Sequence, residues 1–292
     1  MTIQDVANLL KVSWDTIKEM EKRYLNKKFS KPDLKKLQNI AIDEIYLGIK
    51  VGYLTVVMDL KPGAVVFVGT GKVGDALLPF WKRLKRIKTK IKAVAMDLGK
   101  AYIKAVTDNL PNAEIVFDHF HVIKLYNEKL TKLRRDLQRE AEEKLDKNVL
   151  KGTRWLLLKS ADKLDEEKDE KSRLQEALDL NKPLSAAYYM KDDLGQIWKQ
   201  KDKSSATELL NDWVKRAQAS GIQMLIKFSK TLASHRTGIL SYYDFDKMSS
   251  GPMEGTNNKI KTLQKMAYGY RDMEFFKLKI LGLHETKYSL IG

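Results

Sequence analysis

At residue 40 the hydrophobic period of this chain changes from that of helices to that of strands, and the order of elements that follows leaves few architectures open. Apolar residues alternate through IAIDEIYL (40–47), a Gly48 to Gly52 turn intervenes, and YLTVVMDL (53–60) follows. Lys61-Pro62-Gly63 makes a second turn, and AVVFV (64–68) completes a three-stranded meander. An amphipathic helix from about Val73 to Arg86 comes next, then a strand KAVAMD ending at Asp97 and a helix from about Lys100 to Asn109. After a Pro111-Asn112 turn, EIVFD forms a last strand ending at Asp118, and everything beyond reads as helix.

Three strands in a meander, then helix, strand, helix, strand, helix, is the order of a ribonuclease H-like α/β core, in which an antiparallel meander is continued by parallel strands. Residues 120 to about 146 read as one long basic helix and 147–246 as a large helical insertion interrupting the core. Within the insertion, ADKLDEEKDEKSR (161–173) reads as an exposed connection. The expected domains are a helix-turn-helix over 1–30, the first part of the core over 38–146, the insertion over 147–246, and the rest of the core over 247–292. In the first of these, two helices break near Lys11 and Val12, and Ser13 caps the second. Val6, Leu9 and Leu10 are expected to meet Ile17, Met20 and Tyr24, leaving Lys18, Lys22 and Arg23 free for phosphates.

Composition narrows the chemistry. The absence of cysteine removes disulfides, thiolate zinc sites and cysteine nucleophiles together. Lys plus Arg number 54 against 38 Asp plus Glu, a net charge of +16 that makes nucleic acid the first partner to consider. The excess is local: residues 71–104 carry ten Lys/Arg against Asp75 and Asp97, whereas 160–212 carry nine against thirteen acids. The run Lys82, Arg83, Lys85, Arg86, Lys88, Lys90 and Lys92 is either a solvated helix end or a polyanion-binding face. No apolar run reaches the roughly 18 residues of a membrane span, and MTIQDVANLL does not read as a signal peptide, so a cytoplasmic, nucleoid-associated protein without membrane partners is expected.

Carboxylates at strand ends are the candidate chemistry. Alternation places Asp43 on one face of its strand, with Ala41 and Ile45, and Glu44 on the other. If the first and fourth strands are parallel neighbours, Asp43 and Asp97 meet at the carboxyl edge of the sheet, where open α/β sheets carry their sites. A third acid is offered by SSGPMEGTNNKIKTLQKMAYGYR: Ser249 or Ser250 caps a helix, Pro252 suits its start, and Glu254 falls in its first turn. Along that helix Asn257, Asn258, Lys261 and Lys265 share a face with Glu254.

These segments resemble the DDE transposases of bacterial insertion sequences, most closely the ISL-three family. The resemblance rests on AIDEIYL, on VAMDLGKAYIKAVTDNLPNAEIVFDHFHVIKLYNEKLTKLRRDL and on GPMEGTNNKIKTLQKMAYGYRDMEFFKLKIL, and covers most of the chain. It implies a catalytic and metal-binding triad of Asp43, Asp97 and Glu254, holding two Mg²⁺ (or Mn²⁺) ions for strand cleavage and strand transfer. Double-stranded DNA, as terminal inverted repeats and target, is the implied partner, and a homodimer on DNA the implied assembly. Lys18, Lys22, Arg23, Lys82, Arg83, Lys85, Arg86, Lys261 and Lys265 are candidate DNA contacts. Family members usually carry an N-terminal cysteine zinc module, so an N-terminally incomplete product is expected.

Three features keep more than one reading. Asp118 and His121 form an Asp-x-x-His pair that either supports the site or positions DNA, the roles also expected of Asn257 and Asn258, or caps a helix beside a packed histidine. Gly69, Gly71 and Gly74 spell G-x-G-x-x-G between a strand and a helix, the layout of a dinucleotide site, although a meander precedes it. Trp155, Trp198 and Trp213 are either core anchors of the insertion or stacking platforms for bases. A DNA-binding module with an inactive core is the alternative to the enzyme.

Overall fold

The computed structural model of the protein describes residues 2–72, 74–141, 148–151, 153–159 and 163–284. It comprises two compact units, Met1–Ile115 with Ser249–Gly292, and Val116–Met248. The boundary falls inside the last strand of a five-stranded mixed sheet of order β3-β2-β1-β4-β5. Its strands are β1 (Asn39–Tyr46), β2 (Tyr53–Asp59), β3 (Ala64–Thr70), β4 (Ala93–Met96) and β5 (Glu114–Phe117). β1 pairs with β2, and β2 with β3, antiparallel, as the meander requires. β1 pairs with β4 in parallel, Asn39 opposite Ala93 and Ala41 opposite Ala95.

In the first unit α1 (Ile3–Leu10) and α2 (Trp14–Phe29) precede the sheet, and α3 (Leu78–Ile87) and α4 (Lys100–Asn109) lie between its strands in sequence. The expected helix start near Val73 lies outside the described residues. A 3₁₀ turn over Gly74–Leu77 comes first, and regular helix begins only at Leu78, with Pro79 in the opening turn where no N–H is needed. Leu77, Phe80, Trp81 and Leu84 bury against Ile40, Ile42, Val57, Val94 and Met96, joined by Tyr102 and Val106 of α4. This core uses the even-numbered face of β1, which carries Glu44. Gly69 lies close beneath it: a Cβ there would sit 2.3 Å from the Ala76 carbonyl oxygen. The glycine-rich loop therefore follows an antiparallel edge strand and serves close packing, and the layout lacks the parallel strand pair of a dinucleotide site.

The N-terminal helix pair differs from expectation. Thr2 and Asp5 form a capping box on α1, Lys11 closes it in left-handed conformation, and Ser13 caps α2 as the sequence indicates. However, Leu9, Leu10, Met20 and Tyr24 are exposed rather than packed together. What buries is Leu25 with Ile3 and Phe29, against Phe275, Leu278 and Leu281 of the last helix, α12 (Met273–Leu281). α1 and α2 touch each other, with Ala7 buried and Val6 and Ile17 half-buried, and α12 adds a second contact; a helix-turn-helix in the DNA-reading sense remains an expectation. Lys18 and Lys22 are likewise not free for phosphates: both ammonium groups lie 3.0 Å from Asp272, and Lys22 also pairs with Glu274 at 2.7 Å.

The second unit is helical, with α5 (His119–Glu140), α6 (Glu170–Leu180), α7 (Lys182–Gln196), α8 (Lys203–Ala219), α9 (Gln223–Ser234) and α10 (Arg236–Leu240). The expected extension of α5 to about 146 falls largely outside the described residues, as does part of the charged connection. Tyr126, Trp213 and Phe228 form an edge-to-face triad with centroids 4.9 to 6.1 Å apart. Their polar atoms are satisfied: the Tyr126 hydroxyl donates to the Ala187 carbonyl at 2.6 Å and the Trp213 indole to that of Met190 at 2.8 Å. Trp198 is also buried, so two of the three insertion tryptophans are core anchors, whereas Trp155 is 65% exposed. Among the described residues no helix is long and apolar enough to cross a membrane.

Asp272 links α12 to α2. Its carboxylate accepts the Phe275 amide hydrogen as an N-cap, and this bond, followed by those from Lys18 and Lys22, holds its pKa far below the usual carboxylate value. Stability from such a depressed group is present above the unfolded value of about 4 and fades as pH falls through the folded value. Asp272→Asn keeps the cap but loses the charge facing Lys18, Lys22 and the N-terminus of α12, and should cost about 1 kcal/mol at neutral pH. Thermal melting against pH checks it: the gap to wild type should close below about pH 4, and a gap unchanged in acid would refute the assignment.

Candidate active site

Parallel pairing sets the level of two acids. Ala41 faces Ala95 across the β1–β4 ladder; Asp43 lies two residues further on within β1, and Asp97 two residues further on, just past the end of β4. Strand spacing of about 4.8 Å sets Ala41 and Ala95 side by side, two residues before each acid. Both residues are half-buried. Asp43 Oδ1 accepts the Glu44 amide hydrogen at 2.8 Å, and Asp97 Oδ1 accepts that of Gly99 at 2.9 Å. Gly99 opens α4, and a Cβ at that position would approach Asp97 Oδ1 to 2.8 Å. Only glycine leaves the Asp97 carboxylate its place in this turn, a requirement that alternation and charge do not signal.

Glu44 is excluded by the pleat. Its carboxylate faces the α3 and α4 side, where Tyr102 donates to Oε2 at 3.3 Å and the Lys72 ammonium lies 3.3 Å from Oε1. Lys72 also stands 3.8 Å from the Tyr53 ring centre, and its pKa is raised by Tyr53 first and Glu44 second.

The opposite face of β1 is met by α11 (Gly251–Met266), whose Met253 and Ile260 are fully buried. Asn257 Nδ2 donates to Asp43 Oδ2 at 2.7 Å, and Gln264 Nε2 donates to the Leu47 carbonyl at 2.9 Å. Seven helical residues rise about 10.5 Å and four strand residues about 13 Å, so helix and strand run alongside one another between these bonds. The amide oxygen of Asn257 is buried beside Asp43 with no hydrogen-bond partner in the structure.

Glu254 lies in the first turn of α11, one turn before Asn257, and is exposed. Among the described residues no three His, Asp or Glu side chains stand together closely enough to hold a metal ion. The three carboxylates thus belong to one unit without forming a closed cluster, and the amide of Asn257 stands beside Asp43. The predicted helix face divides: Asn257 turns inward, whereas Asn258, Lys261 and Lys265 are exposed with Glu254. Lys265 borders a groove of about 510 Å³ shared with Lys50 of the β1–β2 hairpin and Tyr268.

The remaining candidates separate by burial. Lys82, Lys85, Arg86 and Arg23 are exposed, while the Arg83 guanidinium donates to the Pro32 carbonyl. In the second unit, Asp118 is buried and N-caps α5 through the Phe120 amide, with His119 Nδ1 at 3.2 Å and His121 Nδ1 at 3.5 Å. Burial, then the Asp118 charge, raises the Tyr242 pKa. Asp118 thus caps the helix, with His119 exposed and His121 half-buried beside it.

The Asn257 contact is testable by itself. Asn257→Asp sets a second carboxylate against Asp43, which raises the pKa of the pair. A group whose folded pKa is raised destabilises above that value and ceases to do so below it, so the variant should melt lower than wild type at neutral pH, by the equivalent of about 1 to 3 kcal/mol, and recover as pH falls. Equal melting at neutral pH would remove the contact from the site.

Comparison with known proteins identifies the family. A transposase family model, the DDE type of the ISL-three group, matches residues 40–280. The chain is 34% identical over 281 residues to the transposase for insertion sequence element IS1001 of Bordetella parapertussis, covering 95% of this chain and 68% of that one. It is 27% identical over 290 residues to the transposase for IS1557 of Mycobacterium tuberculosis, covering 91% of this chain and 64% of the relative. The chain thus spans about two thirds of the length of these relatives. A solved Drosophila P element transposase strand transfer complex aligns over 86% of this chain and 77% of that chain, at a TM-score of 0.47 and 14% identity, a likeness too low to bear on the fold. With the matched segment running from the first strand to the last helix and carrying all three acids, the chain belongs to the ISL-three family of DDE transposases.

Proposed function

We propose that the first unit is a ribonuclease H-like core that cleaves DNA strands at insertion-sequence ends and joins them to target DNA, with Asp43, Asp97 and Glu254 as its acidic triad. The observation that carries the proposal is the shared level of Asp43 and Asp97 on parallel neighbours, with the helix of Glu254 bonded to Asp43 through Asn257. In the cleavage step a water oxygen attacks phosphorus, the bond from phosphorus to O3′ breaks, and a 3′-hydroxyl and a 5′-phosphate result. In the joining step that 3′-hydroxyl attacks a target phosphodiester, one new O3′–P bond forms and one target bond breaks. No covalent bond to the protein is needed, consistent with a chain that has no cysteine.

Hard oxygen donors suit Mg²⁺ or Mn²⁺: two half-buried carboxylates and the unpartnered amide oxygen of Asn257 lie at this edge. When bound, two such ions stabilise charge on the attacking and leaving oxygens. The chain's own part is orientation. The Glu44 and Gly99 amides and the Asn257 side chain fix one lone-pair direction on each bonded oxygen. Glu254 sits in the first turn of α11, where the helix dipole favours an anion. Exposed Lys261 and Lys265 on the same helix suit DNA phosphates, as do Lys82, Lys85 and Arg86 on α3. Assembly as a homodimer on DNA belongs to the same reading, as does residence with the nucleoid.

One observation favours a second reading, a DNA-binding module with an inactive core: Glu254 is exposed and no three-acid cluster is closed. Linear duplex bearing candidate terminal repeats, incubated with Mg²⁺ or Mn²⁺ and separately with chelator, distinguishes the two. Metal-dependent nicks at repeat ends are expected, and retardation without nicking would establish the module. Asp43→Asn, Asp97→Asn and Glu254→Gln should each reduce nicking to the chelated background while DNA affinity stays within about threefold. Affinity should fall at least about tenfold between roughly 50 and 200 mM salt. Nicking that survives any of the three substitutions would remove that residue from the triad.

A further inference from the structure

A groove in the second unit is left unexplained by these roles. It runs along one face of α5, lined by Phe120, Ile123, Lys124, Asn127, Glu128 and Arg135, and is walled by Arg154 and Leu158, with a volume of about 490 Å³. Fifteen helical residues separate Phe120 from Arg135, so the face extends roughly 22 Å. Three cations and one acid border it, on a chain whose net charge is +16.

We infer that this groove binds an unpaired stretch of DNA strand, with bases against its apolar floor and phosphates on Lys124, Arg135 and Arg154. The inference rests on the reading of the protein as a DNA-processing enzyme, since such a strand arises where duplex ends are opened and cut. Charge of one sign attracts a polyanion, but the floor selects its form. Phe120 is 46% exposed at one end, and Ile123 and Leu158 are apolar along the middle. A duplex keeps its base faces stacked inside, whereas an unpaired strand offers them to aromatic and apolar side chains. The amide oxygen of Asn127, on the groove face, is buried with no hydrogen-bond partner in the structure, which suits a donor on a base edge.

The wall is built to be rigid. Arg134, one residue before Arg135, is buried and donates to the Leu150 carbonyl at 2.8 Å, and the Thr153 hydroxyl donates to the same oxygen at 2.9 Å. The segment bearing Arg154 is thereby braced to α5. Arg154 lies 4.6 Å from the ring centre of Trp155, so the exposed tryptophan holds the guanidinium in place before any ligand arrives. This gives a purpose to the one insertion tryptophan that is not in the core.

The test uses the full chain and fluorescence anisotropy with a labelled oligothymidylate of about 15 nucleotides, alongside a duplex of equal length. Phe120→Ala and the double variant Arg135→Ala with Arg154→Ala are each expected to weaken single-strand affinity about tenfold and duplex affinity less than about threefold. All altered side chains are exposed, and circular dichroism with melting verifies that the variants fold; Phe120→Leu, which keeps the apolar surface, should restore part of the loss. Equal losses for strand and duplex would reduce the groove to general electrostatics and overturn the inference, as would unchanged single-strand binding. Displacement of the oligothymidylate by polyglutamate of equal charge would assign the groove to an acidic peptide instead and overturn it too. Nicking of the terminal-repeat duplex is measured on the same samples. Groove-dependent strand binding without nicking supports the groove and rejects the catalytic reading, whereas nicking with strand binding indifferent to the variants does the reverse.

Discussion

Parallel pairing of β1 with β4 is the constraint on which the first unit depends. Antiparallel neighbours follow from short turns, and the meander needs nothing beyond Gly48 to Gly52 and Lys61 to Gly63. A parallel neighbour requires the chain to leave the sheet and return, and here it returns through β2, β3 and α3 before β4 docks. Hydrophobic burial decides the register of that docking. Ile40, Ile42, Val94 and Met96 all belong to the core shared with α3 and α4, and a slip of one residue would turn each of them to the opposite face. With this register Asp43 and Asp97 reach the same edge on the face away from that core, while Glu44 is drawn into contact with Tyr102 and Lys72.

A second constraint acts through α11. Met253 and Ile260 bury against the sheet, and the bonds from Asn257 and Gln264 fix the helix lengthwise on β1. This docking puts Asn257, one turn after Glu254, against Asp43. It also sorts the polar residues of the helix, because a side chain that faces β1 cannot also face solvent. Asn257 becomes an internal partner of Asp43, and Asn258, Lys261 and Lys265 remain outside.

Charge is divided among different tasks. Lys18 and Lys22 hold the N-terminal helices to α12 through Asp272, and Arg134 braces one wall of the α5 groove. The cations left exposed on α3, α11 and α5 are those available to a polyanion. A net charge therefore says that phosphate is a fitting partner without saying which side chains meet it. Burial makes the difference, since a desolvated cation must find an internal acceptor.

Local order was legible from the residues themselves. The strand periods, the turns, the Ser13 cap, the helix Lys100–Asn109 and the placement of Glu254 in an opening turn all depend on interactions within a few residues. The face assignment of Asp43 against Glu44 was legible too, because alternation is a property of the strand alone. Other features depend on partners distant in sequence. Leu9, Leu10, Met20 and Tyr24 have the spacing of a self-packed helix pair, yet they stay exposed, and part of the burial comes from α12, some 250 residues away. Asn257 meets Asp43 across 214 residues. Trp155, Trp198 and Trp213 share a segment and a residue type, and only packing makes two of them core and leaves one as the support of Arg154. The sequence by itself determined which elements form and which acids end them, since backbone hydrogen bonding and hydrophobic period are short-ranged. The tertiary structure alone decided which of those groups are buried, paired or exposed, because burial depends on the surfaces that the rest of the chain brings to each one.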